Sequence, residues 1–280
     1  MSSKIKRIEI SIHTEDSQKY LREISELDLK GNATLQEEYS PEGEVESRVE
    51  SSFDSEGRLI EQKQLIENGE LADHKIHFRN ESGDIIRTEI LFQGGSKSIQ
   101  TLSFNPETNI EELLEVDEDG ELESKEINHL NEDKQIVLKE TYNYDNKLTE
   151  AFVYKYDQNG KLIRRDQLDH RKKLLVYTEY EYDESGRTVL RANRNRKGRL
   201  SDFLKMEYDE NGKVIKQNFS GKYFFIFEYD QKGNTVLEER YTADDKLEYQ
   251  SRFEYDKNYL LTREVNLEFT RELSYQFHEE

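Results

Sequence analysis

A pair of residues, an aromatic followed by Asp or Asn, returns along this chain at a nearly fixed interval, and that interval dictates most of what the chain can fold into. Its clearest copies are Tyr156-Asp157-Gln158-Asn159-Gly160-Lys161-Leu162, Tyr182-Asp183 to Gly186, Tyr208-Asp209 to Gly212 and Tyr229-Asp230 to Gly233. Weaker copies precede them at Leu27-Asp28, Phe53-Asp54 with Gly57, Asn80 with Gly83, Phe104-Asn105 and Leu130-Asn131, and one follows at Tyr255-Asp256. The Asp or Asn positions are 28, 54, 80, 105, 131, 157, 183, 209, 230 and 256, spaced by 26, 26, 25, 26, 26, 26, 26, 21 and 26 residues. A fixed period of this length marks a repeat architecture in which each unit is completed by its neighbours.

A second turn signal falls near the middle of nearly every interval: Pro41-Glu42-Gly43, Asn68-Gly69, Gly94-Gly95, Asp119-Gly120, Asp145-Asn146, Arg171-Lys172, Lys197-Gly198, Ser220-Gly221 and Asp244-Asp245. Between turns, Phe152, Tyr154 and Tyr156 alternate with Val153 and Lys155, and Tyr223, Phe225, Phe227 and Tyr229 alternate with Phe224, Ile226 and Glu228. Alternation rich in aromatic and β-branched residues is the pattern of strands. Each 26-residue unit is therefore two strands and two turns. Asp caps its own turn by accepting backbone N–H bonds, and Gly takes the positive φ. The structural turn residues are Asp54, Gly57, Asp157, Gly160, Asp183, Gly186, Asp209, Gly212, Asp230 and Gly233. The aromatic ahead of each Asp is expected to pack on its counterpart one repeat away.

The expected fold is all-β, a continuous antiparallel meander of about twenty strands. A flat sheet of that size is unstable, so the meander is expected to curl into a spiral, an open shell or a superhelical ribbon. Its end strands should be blunted by charge, at Thr14-Glu15-Asp16 and Glu279-Glu280. The whole of 1–280 reads as a single repeat domain. Composition suits a thin layered structure: 33% of residues are hydrophobic and 36% charged, yet 17 Tyr and 13 Phe supply apolar surface.

The net charge of −20 is unevenly placed. Residues 1–150, the acidic and degenerate part, hold 36 acidic and 17 basic residues, whereas the near-neutral part 151–280, with consensus repeats, holds 25 and 24. An acidic half repels a polyanion, so nucleic acid is not the expected partner. Cysteine is absent, which excludes disulfides and thiolate chemistry. The start lacks an apolar run of signal-peptide length, and no stretch approaches a membrane span. The sequence reading is accordingly a cytoplasmic protein with no membrane partner, export by a signal-independent route aside.

The Tyr-x-Tyr-Asp-x-x-Gly-[Lys/Arg]-[Leu/Val] string, explicit at 154–162 and 180–187, resembles the YD repeats of RHS-type proteins, with a looser similarity to MORN-like hairpin repeats. The resemblance implies spiralling hairpin sheets and a binding or scaffolding role. It extends over the chain as a period and is sharp from about 142 to 256. Leu27, Arg79 and Leu130 stand where the family has Tyr, and Thr108 and Lys134 where it has Gly. Encapsulation of a toxin, as in large members, is not implied for a chain of this size.

Chemistry is thin. The Asp157-to-Gly160 stretch lacks the distal Glu of a calcium loop, and Asp73-His74 with His77 offers two imidazoles on opposite strand faces without a third ligand. No catalytic constellation, metal site or cofactor is expected, and the chain reads as a non-enzyme. The more specific feature is basic. Arg171, Lys172 and Lys173 occupy one mid-repeat turn, and Arg194, Arg196, Lys197 and Arg199 surround the next, so one sheet edge gathers them; Lys222 and Lys246 extend the row. The expected function is a protein-binding or scaffold repeat protein, by resemblance an accessory, chaperone or immunity component of a bacterial secretion or toxin system, meeting an acidic partner surface or another copy of itself. The alternative is an extracellular carbohydrate-binding or adhesin-like module, with the aromatic face around Tyr223, Phe225 and Phe227 stacking on sugars.

Overall fold

The structure is a computed structural model that describes residues 4–14 and 18–279. Of the residues expected to blunt the sheet ends, Glu15, Asp16 and Glu280 lie outside the described residues. Two compact units emerge, one formed by residues 1–100 and 251–280, the other by 101–250.

The first unit begins with β1 (Ile5–Thr14), β2 (Tyr20–Leu27), β3 (Ala33–Tyr39) and β4 (Val45–Phe53). It continues through β5 (Leu59–Ile66), β6 (Leu71–Arg79), β7 (Ile85–Phe92) and the start of β8 (Lys97–Asn105). The second unit runs from β9 (Ile110–Asp117) and β10 (Leu122–Leu130) to β11 (Ile136–Asn143), β12 (Leu148–Tyr156), β13 (Leu162–Asp169) and β14 (Leu174–Tyr182). It goes on through β15 (Thr188–Asn195), β16 (Leu200–Tyr208), β17 (Val214–Phe219), β18 (Tyr223–Tyr229) and β19 (Thr235–Thr242). The chain then passes through β20 (Leu247–Tyr255) and completes the first unit with β21 (Leu261–Asn266) and β22 (Phe269–Phe277).

Successive strands pair antiparallel, as the alternating pattern and short turns require. The expectation of an open form is overturned. The first strand pairs with the last, with Ile8 opposite Tyr275, Ile10 opposite Leu273 and Ile12 opposite Arg271. All 22 strands belong to one sheet, so the meander is a closed antiparallel β-barrel and not a spiral, open shell or superhelical ribbon. The physical reason is the edge problem. Unpaired N–H and C=O groups on two terminal strands are satisfied most fully by each other, and closure needs no charged blunting residues. Beside the seam, Lys19, just ahead of β2, makes an ion pair with Glu272 of β22 at 2.5 Å.

The Asp-x-x-Gly hairpins close alike, as between β12 and β13. Asp157 N–H donates to the Lys161 carbonyl at 2.8 Å and Gly160 N–H to the Asp157 carbonyl at 3.1 Å, while Gly160 holds φ of 78°. Asp157 Oδ1 accepts the backbone N–H groups of Asn159 at 2.8 Å and Lys161 at 2.9 Å. The pairing shifts register at the residue ahead of the turn, between Lys155 and Tyr156, which is a bulge closing a type I turn. The 21-residue interval has a direct cause. β17 and β18 are only six and seven residues long, and their pairing contains no register shift.

There is no thick core. The buried apolar residues are Ile24, Ile90, Ala151, Ala192 and Phe224 among the described residues. Both faces of each unit mix apolar and charged side chains. In the second unit one face pairs Tyr154 with Arg165 and Tyr180 with Arg191, and the other pairs Val153 with Asp166 and Glu179 with Ala192. Cations lie over rings on both: Arg165 over Phe152 at 5.3 Å and Arg164 over Tyr177 at 3.8 Å. Such contacts are worth about 0.5–1 kcal/mol at exposed sites and more when desolvated, so the layer is held by many modest terms.

The Tyr-Asp corners add a ladder. Tyr182 Oη donates to the Leu162 carbonyl at 2.7 Å, Tyr208 to Thr188 at 2.6 Å and Tyr229 to Val214 at 2.7 Å. Lys161, Arg187 and Lys213 lie over the same three rings. The expected ring-on-ring packing of successive corners is replaced by this arrangement. Each tyrosine pins the strand start of the preceding repeat and is roofed by that repeat's cation.

Candidate functional site: the cationic row of mid-repeat turns

In the second unit the turns between β9 and β10, β11 and β12, β13 and β14, and β15 and β16 fall on one edge, because consecutive antiparallel strands return to the same side after two steps. The turn after β13 presents Arg171, Lys172 and Lys173, all exposed, and the turn after β15 presents exposed Arg196, Lys197 and Arg199. Local chemistry fixes both. Asp169 Oδ1 accepts the N–H groups of Arg171 at 2.8 Å and Lys173 at 2.9 Å, and Asn195 Oδ1 accepts those of Lys197 at 2.9 Å and Arg199 at 3.1 Å. These hydrogen bonds hold the Asp169 carboxyl below the usual aspartate range, that from Lys173 contributing most.

The seven basic residues do not share one role. Lys172, in the left-handed region at φ of 58°, sends its ammonium to Glu140 Oε1 at 2.7 Å. Glu140 on β11 is buried, and His129 Nε2 sits 3.3 Å from its other oxygen. Burial pushes the Glu140 carboxyl up, but hydrogen bonds from Lys172 and His129 outweigh it and hold the group below its ordinary value. The same contact raises Lys172. Arg194 is likewise engaged, with Nε 2.6 Å from Glu179 Oε2 and a hydrogen bond to the Gly198 carbonyl. Arg171, Lys173, Arg196, Lys197 and Arg199 make no ion pair among the described residues. The two turns lie on one edge of the sheet, and two of the seven cations, Lys172 and Arg194, are taken up by ion pairs. Glu140, which takes up Lys172, carried one signal: it is the lone carboxylate of β11.

Lys222 and Lys246 lie on turns of the same edge, after β17 and after β19. Phe225 stacks on Phe227 at 6.2 Å and meets Tyr223 edge-on at 6.0 Å, and Arg240 covers Tyr223 at 4.4 Å.

In the first unit a concavity of 620 Å³ is lined by Glu37, Glu44, Glu46, Arg48, Glu50 and Leu65 with neighbouring turn residues. Its charges are largely spoken for. Arg48 bridges Glu37 at 2.9 Å and Glu50 at 2.7 Å, and Arg22 pairs with Glu46. His74 Nε2 contacts Glu61 at 2.6 Å, whereas His77 Nδ1 contacts Thr88 Oγ1 at 2.9 Å on the opposite face.

No family model matches this chain, and no curated protein matches it. The likeness to YD repeats thus stands as a likeness of motif. Among solved structures, a TcdB2-TccC3-TEV crystal structure is similar at 14% identity over 91% of this chain, with a TM-score of 0.35. This chain spans only 16% of that one. A porin-like protein from Bacteroides uniformis is similar at 8% identity over 97% of this chain and 98% of its own, also with a TM-score of 0.35. No helix among the described residues is long and apolar enough to cross a membrane, a statement that does not bear on strands.

Proposed function

We propose that this chain is a non-enzymatic binding or scaffold protein that engages an acidic surface of another protein through the cationic turn row. The observation that carries the reading is the set of exposed cations Arg171, Lys173, Arg196, Lys197 and Arg199 on two turns one repeat apart, none in an ion pair among the described residues, with Arg171 hydrogen-bonded to His170. Closure supports the same mode. A sheet whose first and last strands are joined offers no strand edge for a peptide to extend, so side chains on turns and faces must do the recognising.

Two further features favour binding over the alternatives. The carboxyls of Asp28, Asp54, Glu140 and Glu272 are all held below their ordinary values, which suits turn capping and ion pairing. Charges also stand mid-strand on both faces, with Arg48 and Lys63 on one face of the first unit and Asp73 and Lys75 on the other. A lipid-facing barrel carries an apolar outer band about 25 Å tall, which this pattern interrupts.

The test is affinity capture from native cells with wild-type protein and with a folded Arg171→Glu/Arg196→Glu/Lys197→Glu variant, at low salt and read by mass spectrometry. A partner held by the wild type and lost from the variant supports the reading. Identical partner sets contradict it.

A further inference from the structure

The edge that carries the cations also carries their complement. The turn after β9 holds Asp117, Glu118, Asp119 and Glu121 and no basic residue, and Glu118, Asp119 and Glu121 are exposed. Between this acidic turn and the cationic ones lies the turn of residues 144–147, where Asp145 and Lys147 neutralise each other at 2.9 Å. Along one edge of the second unit the order is therefore acidic, neutral, basic, basic. With strands about 4.8 Å apart, successive turns of this edge are about 10 Å apart.

Such an order is complementary to its own reverse. Place a two-fold axis between the 144–147 turn and the 170–173 turn. The acidic turn of one copy then meets Arg196, Lys197 and Arg199 of the second, and the neutral turn meets Arg171 and Lys173, each contact occurring twice. Exposed apolar residues stand beside these turns: Tyr144 is 70% exposed next to the neutral turn, Leu175 46% and Val176 38% next to the first basic turn, and Leu200 43% next to the second. Exposed apolar side chains among charges, Tyr included, suit a protein interface.

We infer that this edge of the second unit is a self-association surface and that its partner is a second copy of the same chain in antiparallel, two-fold register. The inference rests on the reading of the cationic row as a protein-binding surface and names the acidic partner for it. A row of four turns is a narrow footprint, so the association is salt-sensitive and of modest affinity.

Sedimentation of the purified full-length chain tests it, using an acid-reversed variant (Glu118→Lys/Asp119→Lys) and a base-reversed variant (Arg196→Glu/Lys197→Glu). Wild type is expected to dimerise at low ionic strength and to dissociate as salt rises. Each variant alone should dimerise at least about tenfold more weakly, and an equimolar mixture should recover association, because opposite charges again face each other. Recovery in the mixture also shows that both variants are folded. Tyr144→Ala should weaken the dimer without changing its salt dependence. A wild type that stays monomeric at low salt, variants that dimerise as well as wild type, or a mixture that stays apart each overturn the inference. If the monomeric wild type nonetheless retains a cellular partner that the base-reversed variant loses, the binding role survives and only the identity of the partner is wrong.

Discussion

The Arg79 guanidinium donates to the Leu59 carbonyl at 3.0 Å, the same contact that Tyr182 Oη makes with the Leu162 carbonyl at 2.7 Å four repeats later. Both acceptors stand five residues after a turn Asp, Asp54 and Asp157. The corner tie is thus kept where its tyrosine is lost. Tyr182→Phe removes the donor but leaves the ring beneath Lys161, and should cost about 1 kcal/mol in urea unfolding. Arg79→Met should cost a similar amount or more, since Arg79 also bonds the Gly83 carbonyl. No loss in either variant would show that the ladder is incidental.

Lys172 and its neighbour Arg171 should separate cleanly. Lys172→Met strips the buried Glu140 carboxylate of its ammonium partner and should destabilise by about 1–3 kcal/mol. Arg171→Met should lie within about 0.5 kcal/mol of wild type, as surface changes do. Chemical denaturation of the two variants side by side checks this.

Asp245 adopts φ of 59° at the turn position where most hairpins place glycine. A non-glycine residue pays about 1–2 kcal/mol there, partly offset by its stiffer unfolded chain. Asp245→Gly should therefore raise stability by about 0.5–1 kcal/mol, seen as a higher denaturation midpoint with an unchanged slope.

The turn aspartates make stability depend on acid. Hydrogen bonds from the Arg58 backbone and side chain lower Asp54 from 3.8 to about 2, and Asp28, Asp169, Asp183 and Asp230 are lowered by similar bonds from the residues of their own turns. A group whose folded pKa is depressed contributes stability above its unfolded value and loses it as pH falls through the folded value. Stability should hold above about pH 5 and fall progressively from pH 4 to pH 2. Asp54→Asn should flatten part of that fall, as read from denaturation midpoints across the pH series.

Much of this was legible because it is local. Asp157 caps its own turn through atoms two and four residues away, so the Asp-x-x-Gly spacing announces the hairpin without any knowledge of the rest. Strand faces follow equally from alternation, as at Tyr154 and Lys155. What the sequence concealed depends on distant partners. Arg79 reads as a lost consensus because the carbonyl it serves belongs to a residue 20 positions back. Lys172 reads as a free cation because its partner, Glu140, lies two strands away on β11. Closure is the extreme case. Ile8 and Tyr275 meet across nearly the whole chain, and nothing in either residue's surroundings distinguishes a strand that ends a sheet from one that joins its other end.

Closure is also the premise for recognition by turns in place of strand edges, and amide hydrogen exchange measures it directly. In a closed sheet both rows of N–H groups on β1 and β22 are bonded, so Ile8, Ile10, Leu273 and Tyr275 should be protected together with their strand neighbours, to a degree comparable with Tyr180 on β14. Fast exchange of alternate amides along β1 and β22, with β14 fully protected, would mean that the two strands are free edges and that the sheet is open.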